Sequence, residues 1–278
     1  MQRQYKHFFP LVGLLIGGLL FALSVDRVRQ MGRPNVTPEI QVVLPLFVQV
    51  GMAAGDRYLA ANAGAIRSLI TSTARMGDNE YAILGSLQTA VSWLNPAHED
   101  NYYTAAAILP WNGQLDSAQL VLQRATYARP NDFQPAFFYA FHLLHFKQDP
   151  VAASGWLSQA ARRMTNEHEQ LVMQNYAARW MDRSRDLDNA IAVVADMAKQ
   201  TRRADFRSYL EQRIKRLENL KYLREHALVF EQRFGRPLHA VDELINAGIL
   251  SEIPSDPFGF GYAMGRDGLI ILRQAKAQ

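Results

Sequence analysis

The chain of 278 residues contains no cysteine. This absence excludes disulfide bonds, thiolate metal ligands and a lipid anchor attached through cysteine. The chain also lacks a large excess of either charge, because 30 Lys and Arg against 26 Asp and Glu leave a net charge of only +4. With 49% hydrophobic residues, the composition is that of a globular protein rather than a disordered one. We expect no nucleic-acid partner.

The sequence also lacks the motifs of common catalytic sites, such as a nucleophile elbow, a phosphate loop or a His-Glu-x-x-His pair. His142 and His145 have a spacing that metal ligands on a helix can show, but phenylalanines surround them and no acidic residue lies in that segment. Glu167, His168 and Glu169 stand at a predicted helix start, where carboxylates favour the helix dipole. We predict a protein without catalytic residues, cofactor or metal. A hydrolase, such as a cell-wall enzyme, with an unmarked carboxylate site is the alternative.

One long uncharged run occurs, over the 18 residues 8–25. At ~1.5 Å per residue it is just long enough to cross a hydrocarbon core of ~30 Å. Basic residues on both sides leave the orientation open. We predict a retained single-pass anchor, and a cleavable signal peptide with a site near residues 22–24 is the alternative. Gly13 and Gly17 form a small-xxx-small pair through which two such helices could pack as a homodimer.

This anchor predicts a protein of the bacterial inner membrane, with most of the chain in the periplasm; a cytoplasmic body is the alternative. A second uncharged stretch, residues 42–54, is shorter, is broken by Pro45 and contains Gln49. It is therefore predicted to be a buried or interfacial helix rather than a second membrane span.

A pattern of small residues recurs along the middle of the chain. Ala118 is followed 35 residues later by Ala153 and a further 37 residues later by Ala190. Each alanine begins a helical pattern, and another helical pattern of similar length precedes each one. A period in the mid-thirties with two helices per unit is typical of a helical solenoid. Small residues would lie where the two helices of one unit cross most closely.

The unit at residues 99–132 resembles a tetratricopeptide repeat. The matching positions are Tyr102, Ala106, Leu109, Gly113, Ala118, Leu122, Ala125 and Pro130. Weaker units follow, and the resemblance covers roughly residues 60–200, with Met197 replacing the last alanine of the third unit. The resemblance implies a groove, built by the first helix of each unit, that binds another protein. The candidate partner-binding residues are Tyr103, Asn112, Gln134, His142, His145, Gln174 and Arg179.

Residues 205–235 form one long amphipathic pattern ended by Gly235, as expected of a capping helix. From Arg202 to Arg236 there are ten Lys and Arg against five Asp and Glu. A solvated capping face explains this charge, and a module that interacts with lipid or polysaccharide is the functional alternative.

The segment from 236 to 278 is predicted to hold a short helix ended by Gly248 and then a β-hairpin that turns at Asp267 and Gly268. It is similar to the C-terminal segment of type II secretion pseudopilins through Asp256, Pro257, Phe258, Gly259 and Tyr262. A nearby loop in that family can bind calcium, but too few acidic residues are present here to expect the metal. We expect Asp256 to accept backbone amides, while Phe258 and Tyr262 pack on the preceding helix.

These observations predict an all-α, TPR-like helical-hairpin solenoid with one N-terminal transmembrane helix and a small C-terminal β-hairpin. The predicted function is a protein–protein interaction scaffold, or an accessory subunit, in pilus or secretion machinery or a membrane enzyme complex. The predicted segments are a cytoplasmic N-terminus (1–7), the anchor (8–25), a linker (26–38), N-terminal helices with a degenerate repeat (39–98), repeats (99–204), the cap (205–235) and the C-terminal region (236–278).

Overall fold

The computed structural model describes residues 8–30, 42–71 and 76–274. The fold is 69% helix and 2% strand, which confirms a mainly helical protein with a small two-stranded sheet. The helices are α1 (Phe8–Gln30), α2 (Leu46–Met52), α3 (Arg57–Ile70), α4 (Asp78–Leu94), α5 (Glu99–Ile108), α6 (Leu115–Ala128), α7 (Gln134–His145), α8 (Pro150–Ala161), α9 (Glu167–Trp180), α10 (Leu187–Gln200), α11 (Ala204–Phe234) and α12 (Glu243–Asn246), and the strands are β1 (Tyr262–Met264) and β2 (Ile270–Leu272).

The chain divides into two compact units, residues 1–41 and 42–278. In the first unit, α1 continues to Gln30, so the part of the predicted linker up to residue 30 is helical. Gly13 and Gly17 both lie in α1, and no other atom comes within 4 Å of the position of a Cβ at Gly17. The predicted cytoplasmic segment 1–7 lies outside the described residues. No helix in the described part of the chain combines the length and hydropathy needed to cross a bilayer.

The second unit begins with a short helix and a longer one. The stretch 42–54, predicted to be a buried or interfacial helix, contains α2, which spans only seven residues, and none of them is buried. Ala54 and Gly55 have positive φ angles of 53° and 89°, and this turn separates α2 from α3. Asp56 caps α3 by accepting the amides of Tyr58 and Leu59 at 2.8 and 3.1 Å. α3 then packs along α4.

Three helical hairpins follow, α5/α6, α7/α8 and α9/α10, at the positions that the repeat predicted. Ala118, Ala153 and Ala190 are each the fourth residue of their helix, and each is fully buried. The large apolar residue four positions later is also fully buried in all three helices: Leu122, Leu157 and Val194. The register and burial of the recurring residues are therefore equivalent in α6, α8 and α10.

The third hairpin differs from the others in its neighbours. α7 packs closely on α8 and α8 on α9, whereas α10 packs along α11 and approaches α9 less closely than these pairs do. Beside the turn that joins α9 to α10, Ala178, Met181 and Leu187 belong to one apolar cluster with Leu210 and Leu217 of α11. Farther from this turn, the space between α9 and α10 is open.

The C-terminal end packs on α11. That helix ends at Gly235, whose φ of 68° is the left-handed conformation of a helix C-cap. The antiparallel strands pair Tyr262 with Leu272, and Tyr262 is buried in the cluster that contains α11. The hairpin is confirmed, but its loop is longer than the predicted two-residue turn. The Gly268 amide bonds to the Gly265 carbonyl and only Gly268 has a positive φ, of 78°, which fits a turn followed by a bulge.

Candidate binding cleft

The open space in the third hairpin is a cleft of about 350 Å³. The ends of α8 and α10 and the starts of α9 and α11 form its walls. Its apolar residues are Leu171, Met197 and Phe206, and polar side chains surround them: Ser158, Arg162, Glu167, Gln170, Gln174, Gln200, Thr201, Arg202 and Arg203. A second hollow on the α9–α11 side shares Leu171, Arg203 and Phe206 with it. We call the first of these two spaces, with its volume of about 350 Å³, the α9–α10 cleft.

The cleft has a positive character and free hydrogen-bonding capacity. Arg203 is neutralised, because its guanidinium forms two bonds to Asp205, at 2.7 and 3.1 Å. The hydrogen bond from Arg203 lowers the pKa of Asp205 to about 2. Among the described residues, Arg162 and Arg202 have no ion-pair or hydrogen-bond partner for their side chains. These two arginines leave the cleft with unpaired positive charge beside one carboxylate, Glu167.

Of the predicted partner-binding residues, Gln174 is the one that lines this cleft. In the part of the chain that the structure describes, the side chains of Gln174 and Gln200 make no hydrogen bond. An amide side chain offers two donors and an acceptor, which is the pattern that the backbone of an extended peptide requires. Arg179 is exposed, more than one turn beyond Gln174 along α9, and does not line the cleft.

Tyr103 and Gln134 meet at the junction between α5 and α7, where the Tyr103 hydroxyl bonds to Gln134 Oε1. The neighbouring Tyr102 hydroxyl donates to Asp132 Oδ2 at 2.8 Å, and Arg129 Nε also bonds to that oxygen at 2.8 Å. Burial alone would raise the pKa of Asp132, but the bonds from Arg129, the Gln134 amide and Tyr102 lower it. The two predicted residues therefore belong to a satisfied polar network inside the stack of helices.

The two histidines have different environments. His142 is buried, with 2% of its surface exposed, and its Nε2 lies 3.1 Å from the Ala106 carbonyl oxygen. Its ring is therefore packed inside the stack of helices, where a partner cannot contact it in this conformation. His145 is exposed and stacks on Phe141 with ring centroids 5.4 Å apart. Asn112 is half-buried and donates to the Ile108 carbonyl oxygen at 2.8 Å.

A buried ion network joins α11 to the C-terminal loop, and the sequence analysis did not find it. Asp182, after α9, bonds to Arg213 Nη1 at 2.7 Å and to Arg216 Nη1 at 3.0 Å. Arg216 also donates to Asp256 Oδ2 at 3.0 Å and to the Arg273 carbonyl oxygen at 2.7 Å. The side chains of the four ion-pairing residues are at most 5% exposed. Two positive and two negative charges therefore balance inside the protein.

Asp256 has the role that the sequence predicted. Its carboxylate accepts the backbone amides of Phe258, Phe260 and Gly261 at 2.9 to 3.1 Å. The Phe258 ring lies against Tyr209 of α11, with centroids 5.5 Å apart. This segment is thus a structural connection between the chain end and α11.

The basic charge of residues 202–236 is mostly used within the protein. Except for Arg202, each of its ten cations contacts an acidic side chain, a backbone carbonyl or an aromatic ring. Lys221, for example, pairs with Asp188 and Glu225. The geometry therefore favours the α9–α10 cleft over a basic face of α11 as a binding site.

Comparison of the chain with protein-family models, with curated proteins and with solved structures finds no match. Within the described ranges, no three His, Asp or Glu side chains gather as they would to hold a metal ion. The resemblances to tetratricopeptide repeats and to pseudopilins thus stay predictions from the sequence, as does the expectation of no catalysis, cofactor or metal.

Proposed function

We propose that this protein is a non-catalytic scaffold or accessory subunit that binds an extended, acidic segment of another protein in the α9–α10 cleft. The observation that carries the proposal is the open third hairpin, which places unpaired arginines and free glutamine amides around an apolar floor. A volume of about 350 Å³ lies within the usual range of binding pockets, ~300–1,000 Å³.

The chemistry of the lining defines the expected partner. Arg162 and Arg202 favour carboxylates, which guanidinium groups bind with two parallel hydrogen bonds. Leu171, Met197 and Phe206 provide a contact for one large apolar side chain of the partner. The expected partner segment therefore combines Asp or Glu with a Leu, Met or aromatic residue and lies extended across α9.

Photo-crosslinking can test this proposal in the cells that make the protein. A photo-reactive amino acid at Gln174 should link the full chain to one partner, and mass spectrometry should find the linked peptide in an acidic, partly apolar segment. The double variant Arg162→Glu/Arg202→Glu should reduce this product at least tenfold without loss of helicity.

Arg266→Glu is the matched control, because Arg266 is an exposed arginine in the C-terminal hairpin loop, away from the cleft. A product that persists in the double variant, or equal products from a crosslinker placed at Arg266, would contradict binding in the cleft. Arg179→Glu in the same experiment tests the residue predicted from the repeat resemblance.

The location that we propose is the bacterial inner membrane, with the body in the periplasm and a partner in pilus or secretion machinery or a membrane enzyme complex. Its support is the uncharged run of residues 8–25 in the sequence and the uninterrupted helix α1 over the same residues. Retention in membranes after alkaline extraction, together with protease digestion of the body only after the outer membrane is opened, is the expected result. Digestion only after cell lysis would place the body in the cytoplasm.

A further inference from the structure

Large apolar side chains are uncovered on α2 and α3, at the N-terminal end of the second unit. Eight of them are more than half exposed: Val42, Phe47, Met52, Tyr58, Leu59, Ile66, Leu69 and Ile70. We call this surface the α2–α3 face. At roughly 100 Å² of exposed area each, these side chains offer about 800 Å², above the ~300–600 Å² of the largest apolar patch on a typical monomer.

The face arises because α3 is apolar on both sides. Its inner side consists of small residues, with Ala61 and Ala65 buried at 0% and 2% exposure against α4. Its outer side carries Leu59, Ile66 and Ile70, which are spaced to form one stripe along the helix. Asn62 is exposed on the same side, but most of this side is apolar, whereas an amphipathic helix at a solvated surface would be mostly polar there.

The charged residues of this region are all occupied within the protein. Residues 42–71 contain Asp56, Arg57 and Arg67 as their charged residues. Asp56 caps α3, Arg57 donates to the Leu94 carbonyl oxygen at 2.7 Å, and Arg67 donates to the Val42 carbonyl oxygen at 3.2 Å. The net charge of these residues is only +1, with Arg57 and Arg67 bonded to carbonyl oxygens rather than to carboxylates, so two copies can bring this face together against little electrostatic repulsion. A helix that lies on a lipid surface typically adds free Lys or Arg, and the α2–α3 face offers none in its described residues.

The α2–α3 face has one protruding side chain and one hollow. Phe47 protrudes with 78% of its surface exposed. Beside α2, a hollow of about 300 Å³ has a mainly apolar lining that includes Leu44, Met52, Leu59 and Leu87, together with the polar side chains of Gln49 and Arg67. A twofold interface requires one patch to be complementary to itself, and a protruding ring next to an apolar hollow meets that requirement.

We propose that the α2–α3 face is the interface of a symmetric homodimer, in which Phe47 of each copy enters the apolar hollow of the other. The exposed apolar side chains of this face, about 800 Å² in sum per copy, are enough to supply the ~800 Å² that each partner buries in an ordinary stable interface. This interface is separate from the α9–α10 cleft, so it goes beyond the proposed function.

The test is the mass of the full chain in mild detergent, measured by light scattering, and of variants in the same detergent. Wild-type protein should be a dimer at micromolar concentration, while Ile66→Asp and Phe47→Asp should be monomers with unchanged helicity. Leu228→Asp is the matched control and should stay dimeric, because Leu228 on α11 is 59% exposed and Ile66 is 58% exposed.

The absence of cysteine permits a second measurement, made in cell lysate before detergent is added. Phe47→Cys should crosslink to a second copy through a short bis-maleimide, and Leu228→Cys should not. A monomeric wild type, or a dimer that survives both aspartate variants and is lost in Gly17→Leu, would refute the interface. Binding of a monomer to phosphatidylglycerol vesicles that Ile66→Asp abolishes would assign the face to lipid instead and also refute the dimer.

Discussion

Acidification is expected to weaken the stack of helices through His142. The ring lies between α5 and α7, where its Nε2 donates to the Ala106 carbonyl oxygen as a neutral imidazole. Its Nδ1 is buried without a partner. Burial, followed by the proximity of His145, lowers the pKa of His142 to about 4, although the bond to Ala106 opposes this.

The direction of this pH dependence follows from proton binding to His142 in the folded and unfolded states. The unfolded chain binds a proton at His142 near the ordinary pKa of ~6.5, whereas the folded protein does so only near pH 4. Between these values the unfolded state holds more protons, so acid favours unfolding. The contribution of His142 is complete above pH 6.5 and is lost as the pH falls to 4. A shift of this size corresponds to about 3 kcal/mol of unfolding free energy, because one pKa unit is ~1.4 kcal/mol.

The assay is urea unfolding of the full chain, followed by circular dichroism at several pH values from 7 to 4. His142→Gln keeps an amide donor for the Ala106 carbonyl oxygen but cannot titrate. The free-energy difference between wild type and this variant should change by about 3 kcal/mol across the range, while the control His168→Gln, at an exposed histidine on α9, should follow wild type. Parallel curves for wild type and His142→Gln would show that His142 is not buried as a neutral ring.

Two further predictions concern packing and charge. Asp182→Ala leaves Arg213 and Arg216 without a shared carboxylate and should cost ~3–5 kcal/mol of stability, whereas Asp188→Ala, at an exposed ion pair, should cost under ~1 kcal/mol. Equal, small losses in urea unfolding would contradict the buried network. Ala153→Leu should lower the free energy of unfolding by ~1–3 kcal/mol through overpacking. The control Ala107→Leu, at an exposed alanine, should lower it little. Similar melting temperatures for the two variants would contradict close crossing of α7 and α8.

The helical hairpins could be predicted because their main constraint is local in the sequence. A close crossing of two helices demands a small residue, so Ala118 and Ala153 carry the same steric requirement in the first two units. Ala190 is buried at the equivalent position of α10, in the apolar cluster that contains α11. The sequence could not determine which helix covers α10. That choice depends on the apolar side of α11, including Leu210 and Leu217, and no repeat pattern encodes it.

One signal for the cleft was present in the sequence. The eleventh residue of the second helix is Ala125 in α6 and Ala160 in α8, both fully buried, and it is Met197 in α10. A longer side chain at a position of close approach predicts wider spacing between helices, and Met197 indeed lines the cleft. The replacement of alanine by methionine at this position of α10 therefore indicated that the third hairpin is the open one.

The buried arginines also had a signal in the sequence. Arg213 lies four residues before Leu217, and Arg216 lies four residues before Leu220, so both arginines belong to the apolar stripe of α11 rather than to its solvated side. A total charge for residues 202–236 does not distinguish these two buried arginines from the exposed ones. Their partners, Asp182 and Asp256, lie far away along the chain, and only the fold brings them within 3.0 Å of the guanidinium groups.

The link between Arg216 and the chain end has a consequence for the order of events during synthesis. Arg216 receives its last acceptor from Arg273, 57 residues later. As the chain emerges from the ribosome, the hairpins of the repeat are complete well before that carbonyl group exists. The interior around α11 can therefore close only after the chain as far as Arg273 has been released, so this closure follows the folding of the hairpins.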